Sequence, residues 1–459
     1  MADRRAGGFE AGPEPERRAH ALKFAAGVLT VAALAAAFAI VFRFALGRVL
    51  ALLTAADDVV SAMRGVPIWL RVAVPAVGGL LSGSVSLLLA RSGQGGGVSD
   101  VMEAVVLGNV RLPLRATLLK SLASWLAIAA GASLGREGPL IQFGGAAGKW
   151  TSDRLGLPFS DARRLIAAGT AAGFAAAYNT PFAAVLFVLE IVTGVVVLQA
   201  MVPVLVATVI ACACTRWLVG EGPVYGLRAF ALHSPMELIG YAFLGIVGAI
   251  AAQFFMLSIR AAERMFHRSG LGQPWRAALG GLLTGSVIAF LPEVAGNGYE
   301  PLNEILDGRL AAPAVILLVV AKALATSASV GSGSPGGVFT PTLMIGGGVG
   351  YVMGALLCSL FGPQVGAAGS YALVGMAVTT AASTHAPLMS AVMAFELAGD
   401  YAIALPLCLA TAVATATSRA LRKDSIYTAE LTARGVAWEL SWDGRRSAKP
   451  AKRGDEPSR

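Results

Sequence analysis

Residues Phe24 to Phe42 carry no charge, a run long enough for one helix to cross the roughly 30 Å hydrocarbon core of a bilayer. Further apolar stretches follow at about 72–90, 116–134, 165–189, 195–215, 237–259, 277–292, 311–321, 338–361, 371–395 and 401–417, most of them cut by Gly or Pro. With 56% hydrophobic and only 14% charged residues and a mean hydropathy of +0.69, the 459-residue chain is too apolar for a soluble protein of its size. The expected fold class is all-α, a polytopic membrane protein.

The formal net charge of +9 does not point to nucleic acid, because the basic residues lie at the ends and in short connections rather than in one patch interleaved with aromatics. Arg4, Arg5, Arg17, Arg18 and Lys23 precede the first span, and Arg445, Arg446, Lys449, Lys452 and Arg453 follow the last. Positive-inside bias then places both termini in the cytoplasm of a multi-pass protein of the cell membrane, with an even number of crossings. The first twenty residues are polar and the apolar run behind them is too long for the h-region of a signal peptide. Cys212, Cys214, Cys358 and Cys408 fall in or beside apolar spans without paired metal spacing, and are expected to be buried packing residues. No metal or cofactor is called for. The division expected is a cytoplasmic segment 1–22, one membrane domain 23–435 and a cytoplasmic tail 436–459. Head and tail are too short to bury a core and are expected to be flexible, with no soluble regulatory domain attached.

The Gly-rich interruptions of the spans repeat in order. Gly95, Gly97 and Glu103 match Gly296, Gly298 and Glu304 at an offset of 201. Lys120, Leu122, Ala123, Gly131, Gly135, Pro139, Gly144, Gly145 and Gly148 match Lys322, Leu324, Ala325, Gly333, Gly337, Pro341, Gly346, Gly347 and Gly350 at 202, and Pro181 and Glu190 match Pro387 and Glu396 at 206. The chain is therefore a duplicated membrane fold, with repeat one over about 23–218 and repeat two over about 235–435. Duplicated transporter folds bind substrate near the midplane, where helices of the two halves are broken and aim their ends at the ligand. The breaks here are Gly95 to Ser99, Gly135 to Pro139 and Gly336 to Pro341, the latter two with Pro placed for the first turn of a helix. Helix starts present free N–H groups and partial positive charge, so several aimed at one point attract an anion. They do so without the grip of a buried Lys or Arg, which suits permeation rather than catalysis.

Glu137, in Gly135-Arg136-Glu137-Gly138-Pro139, stands where the second repeat has Phe339. A carboxylate at an anion-attracting helix start is a tethered competitor for the site: ionised it occupies the site, protonated it swings away. Taken alone, Glu137 fits equally well as a stabiliser of its own helix start or a partner of Arg136. The repeat context favours a gate and proton carrier.

The motifs GREGP at 135–139 and GVFTP at 337–341, together with Tyr427 in Ser425-Ile426-Tyr427, resemble the CLC family of chloride channels and chloride/proton antiporters over about residues 24–430. The resemblance implies a homodimer with one pore per subunit, inverted repeats, and broken and re-entrant helices. It implies transport of chloride or a similar monovalent anion, as antiporter or voltage-gated channel, with protons as the second ion. The anion would be held by the backbone amides of Val338 and Phe339 and the Tyr427 hydroxyl, with Glu137 as gate. Gly96, Arg136, Gly138 and Thr340 of the same motifs are assigned to the anion site as well.

The sequence departs from the family pattern at two places. Gly95-Gly96-Gly97-Val98-Ser99 stands where the family usually reads Gly-Ser-Gly-Ile-Pro, so the hydroxyl expected to face the central anion is missing at Gly96, and the spacing of Ser99 does not put it in the same place. Ile191 stands where antiporters carry an inner proton-transfer glutamate. That leaves two readings: an uncoupled channel, or protons arriving through water past Glu190, the candidate inner route. Glu190 and Glu396 also fit structural roles near the repeat axis.

Two readings from other classes are weaker. Gly131-Ala132-Ser133-Leu134-Gly135 satisfies G-x-S-x-G, and an intramembrane serine hydrolase would use Ser133 with a His partner. Ser133 matches Pro335 in the repeat, which suits a turn, and His385 matches Asn179, a polar corner. Gly331 to Gly336 satisfies G-x-G-x-x-G but follows a membrane stretch and lacks a βαβ setting.

Overall fold

The computed structural model describes residues 14–90, 97–107, 112–195, 198–220, 225, 226, 228, 230, 232, 234–362, 365–436, 438–441 and 444–447. The first half runs through α1 (Glu14–Thr54), α2 (Val59–Gly65), α3 (Ile68–Ala90), α4 (Val98–Leu107), α5 (Leu114–Ala129), α6 (Glu137–Leu155), α7 (Phe159–Tyr178), α8 (Pro181–Leu186, continued by a π-helical stretch Phe187–Thr193) and α9 (Leu198–Val219). The second half runs through α10 (Glu237–Arg268), α11 (Gln273–Phe290), α12 (Tyr299–Leu306), α13 (Ala312–Gly331), α14 (Phe339–Phe361), α15 (Ala368–Thr384), α16 (Pro387–Ala398), α17 (Ala404–Leu421) and α18 (Thr428–Ala433). Seven helical segments among the described residues are long and apolar enough to cross a membrane. The others include the buried interior of the fold.

α7 and α15 form that interior. Almost every residue of α7 from Leu165 to Tyr178 is buried, as is every residue of α15 from Gly369 to Thr384. Both are rich in Ala and Gly, because between helices in lipid the drive is van der Waals contact, and small residues let backbones approach. At the crossing of α6 and α7, a Cβ on Gly144 would land on the Gly169 carbonyl and a Cβ on Gly169 on the Gly144 carbonyl. The second half repeats the device with Gly346 and Gly375. Both interior helices end on a non-glycine residue in the left-handed region, Asn179 at φ 58° and His385 at φ 59°. Each is followed by an X-Pro step, so the apolar stretches 165–189 and 371–395 are each two helices meeting at a corner.

Among the contacts that join the halves, three pair matching elements of the two repeats. α3 packs on α11 with Gly79 against the Ala277 carbonyl and Gly281 against the Pro75 carbonyl. Glu396 on α16 caps α8, accepting from the N–H of Phe182 at 3.1 Å and of Ala183 at 2.8 Å. Glu190 caps α16 in return, accepting from Leu388 at 3.2 Å and Met389 at 2.7 Å. A side-chain acceptor at a helix start satisfies N–H groups that have no partner inside the helix, and here each repeat supplies the other's. The third contact, between Gly135 and Gly337, belongs to the site. Lys322, wholly buried, donates to the carbonyls of Val294 at 2.9 Å and Gly296 at 2.8 Å and pins the turn leading into α12.

Three expectations need correcting. The head is not unstructured up to residue 22: α1 starts at Glu14, supported in its first turns by the Arg18–Glu14 pair at 2.7 Å. The tail holds a hairpin, β1 (Trp438–Ser441) antiparallel to β2 (Gly444–Ser447) in the register Trp438↔Ser447, with β2 lying against α4. Of the cysteines only Cys212 is fully buried, and Cys408 is exposed on the outer face of α17.

Substituting Gly169→Ala should lower stability by about 1–3 kcal/mol, because α6 and α7 must part to admit the methyl group, whereas Gly47→Ala, with no atom within 4 Å of the new Cβ, should not. Thermal melting of the detergent-solubilised variants separates the two. In the same assay Glu396→Ala should cost about 1–2 kcal/mol through the uncapped start of α8.

Candidate functional site

Gly135 and Gly337 meet as an antiparallel pair, each donating its N–H to the other's carbonyl, at 2.7 Å and 2.8 Å. The pair fixes the starts of α6 and α14 beside one another. Neither glycine tolerates a side chain, because a Cβ on either would strike the Glu137 carboxylate. At Gly138 a Cβ would stand 3.3 Å from the Gly337 nitrogen, so the turn closes tightly behind the carboxylate.

Glu137 opens α6 but turns its side chain across to the other repeat. Oε1 accepts from the N–H of Phe339 at 2.8 Å and of Thr340 at 3.3 Å, and Oε2 accepts from the Thr340 hydroxyl at 2.9 Å. The carboxylate is 1% exposed. It therefore occupies the start of α14, a 23-residue helix whose free N–H groups and dipole favour a negative charge at that point. The Thr340 hydroxyl has one proton, donated to Glu137, so the contact of 2.8 Å between Tyr178 and Thr340 makes Tyr178 the donor to Thr340. A chain of hydroxyls, Tyr178 to Thr340 to Glu137, stands behind the carboxylate. Tyr178 was not among the residues the sequence singled out; its one signal is its place directly before the Asn179-Thr180-Pro181 corner.

A cavity of about 960 Å³ reaches Glu137, Gly138, Val338, Ile426 and Tyr427 and widens to a mouth that carries Arg260, Arg276, Arg422 and Arg434 beside Asp100, Glu263, Asp424 and Glu430. Tyr427 directly precedes α18 and meets the Phe187 ring edge-on at 6.4 Å. Its backbone is held by the start of α4: the Ser99 hydroxyl lies 3.1 Å from the Tyr427 carbonyl and 2.7 Å from Glu430 Oε2, and Arg434 pairs with Asp100 at 2.5 Å. Ser99 is thus committed to α18, while its neighbours Gly97 and Val98 line the cavity. Gly96 lies outside the described residues.

The structure puts Phe339 and Thr340 on the Glu137 carboxylate, sets Glu137, Gly138, Val338 and Tyr427 along one cavity, and leaves two of the selected residues aside. Arg136 does not line the cavity; its guanidinium stands over the Tyr299 ring, 5.1 Å from the centroid. Glu190 is spent on the α16 amides, and Ile191, 1% exposed, is packed in the core. Ser133 is wholly buried, its hydroxyl 2.9 Å from that of Thr326 and its N–H 3.2 Å from that of Ser329, while His385 bonds Ser418 at 3.2 Å. Among the described residues the hydrogen-bond partners of Ser133 are the Thr326 and Ser329 hydroxyls and not a histidine, and the hydrolase reading falls. Gly331 to Gly336 form the turn between α13 and α14, a helix-to-helix link and not a nucleotide loop.

The sequence model of the voltage gated chloride channel family matches residues 78–419. The chain is 38% identical over 397 residues to a ClcB-like protein of Ralstonia nicotianae, an alignment covering 85% of this chain and 92% of the relative. It is 35% identical over 377 residues to the voltage-gated ClC-type chloride channel ClcB of Salmonella typhimurium, covering 81% and 89%. Its fold is similar to the crystal structure of a slow cyanobacterial Cl-/H+ antiporter, with a TM-score of 0.81 at 24% identity over 90% of this chain and 98% of the other. A family match across most of the membrane domain, on a duplicated helical fold whose two repeats meet at a carboxylate, makes this chain a member of the CLC family of voltage-gated chloride channels and chloride/proton antiporters.

Proposed function

We propose that the protein carries chloride or a similar small monovalent anion across the cell membrane, with the Glu137 carboxylate as gate. The observation that carries this reading is the bonding of Glu137 to the Phe339 and Thr340 amides and the Thr340 hydroxyl. Donors that hold a carboxylate there would hold chloride there, and only one of the two can be present. Protonation removes the charge that the α14 start attracts, so the side chain leaves and the anion enters. The amides of Val338 and Phe339 and the Tyr427 hydroxyl are the anion's ligands in this reading. Tyr427 and Val338 line the cavity that reaches Glu137, which supports that assignment.

Backbone dipoles suit conduction because they replace hydration without the binding strength of a full positive charge. The basic clusters at both ends of the sequence support cytoplasmic termini, and the family resemblance supports a homodimer.

A second reading, an uncoupled channel, is favoured by Ile191 and by the use of Glu190 as a cap. Neither residue carries a proton from the cavity to Glu137, so coupled protons would travel through cavity water.

In chloride-loaded liposomes, efflux should rise as pH falls, by up to roughly tenfold per unit while the carboxylate is mostly ionised, and Glu137→Gln should make it independent of pH. An unchanged pH slope in that variant would remove Glu137 from the gate. With external pH recorded alongside, uphill proton movement driven by the chloride gradient marks an antiporter, and chloride flux without it marks a channel. Glu190→Gln should leave the proton-to-chloride ratio unchanged in either case, its effect being confined to a lower melting temperature.

A further inference from the structure

The seat of Glu137 on α14 is made of the Phe339 and Thr340 amides and the Thr340 hydroxyl, all bonded to its carboxylate as donors. A backbone N–H can only donate. The Thr340 hydroxyl is different, because it can turn and either give its proton to a carboxylate or accept one from a carboxylic acid. Which of the two it does depends on what stands on its other side.

That neighbour is Tyr178, the last residue of α7, 1% exposed, with its hydroxyl 2.8 Å from the Thr340 oxygen. Its ring packs between Phe174 and Phe339, with centroids 5.0 Å and 5.6 Å away. Among the described residues the hydrogen bond of the Tyr178 hydroxyl is to Thr340, and the rest of its surroundings is aromatic. The Tyr299 hydroxyl at the start of α12 lies within reach of the same Thr340 oxygen.

With Tyr178 donating to Thr340, the Thr340 proton is directed at Glu137 and the seat holds donors only. An ionised carboxylate uses them all. A protonated one brings a proton for which the seat has no acceptor. To keep the acid in place, Thr340 would have to turn its proton to Tyr178, and Tyr178 would have to turn its own toward the rings of Phe174 and Phe339. A buried donor left without an acceptor costs more than the bond it replaces is worth, and more still at low dielectric. The other ionisable groups that face Glu137 are Arg136 directly before it, Tyr299 on α12, Tyr225 on the connection between the repeats and Tyr427 before α18. Among the described residues none of these four bonds its carboxylate.

We propose that Tyr178 is a positioning residue of the gate: by fixing the direction of the Thr340 hydroxyl it makes the seat accept Glu137 when ionised and reject it when protonated. The role rests on the reading that Glu137 gates an anion path, and it adds the part that ties the position of the carboxylate to its charge.

The test uses the variants Tyr178→Phe and Thr340→Val, singly and together, with Thr340→Ser as the conservative control. In infrared difference titration of the intact protein, the protonated-carboxyl band that Glu137→Gln removes reports the charge of Glu137 whether or not the protein transports anything. Losing a donor to the ionised form raises the pH at which that form is lost. The midpoint should therefore move up by about one to two units in Thr340→Val and by about half a unit in Tyr178→Phe, with Thr340→Ser at the wild-type value. Tyr178→Phe should add nothing once Thr340 is Val. In liposomes, maximal chloride efflux at acid pH should fall roughly threefold in Tyr178→Phe, because a freed Thr340 hydroxyl keeps protonated Glu137 seated. A wild-type midpoint in Tyr178→Phe, a Tyr178→Phe shift that persists in the double variant, or a wild type without a titrating Glu137 band overturns the proposal. The Tyr178→Phe titration decides by itself if Thr340→Val does not fold. Midpoints that shift as expected in a protein that passes no chloride would sink the transport reading and leave the role of Tyr178 at the seat standing; pH-dependent flux with unshifted midpoints would do the reverse.

Discussion

Two backbone hydrogen bonds between Gly135 and Gly337 set the distance on which the rest of the molecule depends. They press the starts of α6 and α14 together closely enough for a side chain from one to sit on the amides of the other. Any Cβ at either glycine would take the space of that side chain. The carboxylate of Glu137 then closes the gap, and its charge is balanced by a helix start and a hydroxyl rather than by a lysine or arginine. A full positive charge would hold an anion too firmly to pass it on; partial charges on amides allow exchange.

The remaining architecture serves to keep that contact rigid in a medium that cannot help. Lipid neither hydrogen-bonds the ends of broken helices nor drives apolar helices together. The broken ends are therefore satisfied from inside: Glu190 and Glu396 each cap the other repeat's helix, and Lys322 holds the turn before α12. Cohesion comes from glycines that let α6 touch α7 and α14 touch α15 at backbone distance. Duplication makes this economical, since the glutamate caps and the glycine crossings each appear twice. At the site the symmetry is broken, with Glu137 on one side and Phe339 on the other, so that one carboxylate, supplied by the first repeat, sits on the helix start of the second.

Much of this was legible in the chain. The Gly-rich interruptions located the helix breaks, and α4, α6 and α14 begin at Val98, Glu137 and Phe339, within the turns the Gly and Pro positions mark. Glycine and proline can be read in this way because they constrain backbone conformation wherever they stand. The partners were not legible. Glu137 bonds a residue 202 positions away, Tyr178 one 162 away and Ser99 one 328 away. Ser99 was weighed only as a substitute for the hydroxyl missing at Gly96, and the structure gives it another task, holding Tyr427 to α4.

By itself the sequence determined the membrane class, the duplication and the places where helices break, because hydropathy, internal repetition and backbone-restricting residues act locally along the chain. Only the tertiary structure decided what each polar group does once there. Glu190 became a cap of α16, Ser133 a buried hydroxyl bonded to Thr326, and Arg136 a neighbour of Tyr299 and not a lining of the cavity. The physical reason is that a polar side chain at membrane depth takes its role from whichever partner satisfies it, and packing two repeats face to face chooses that partner.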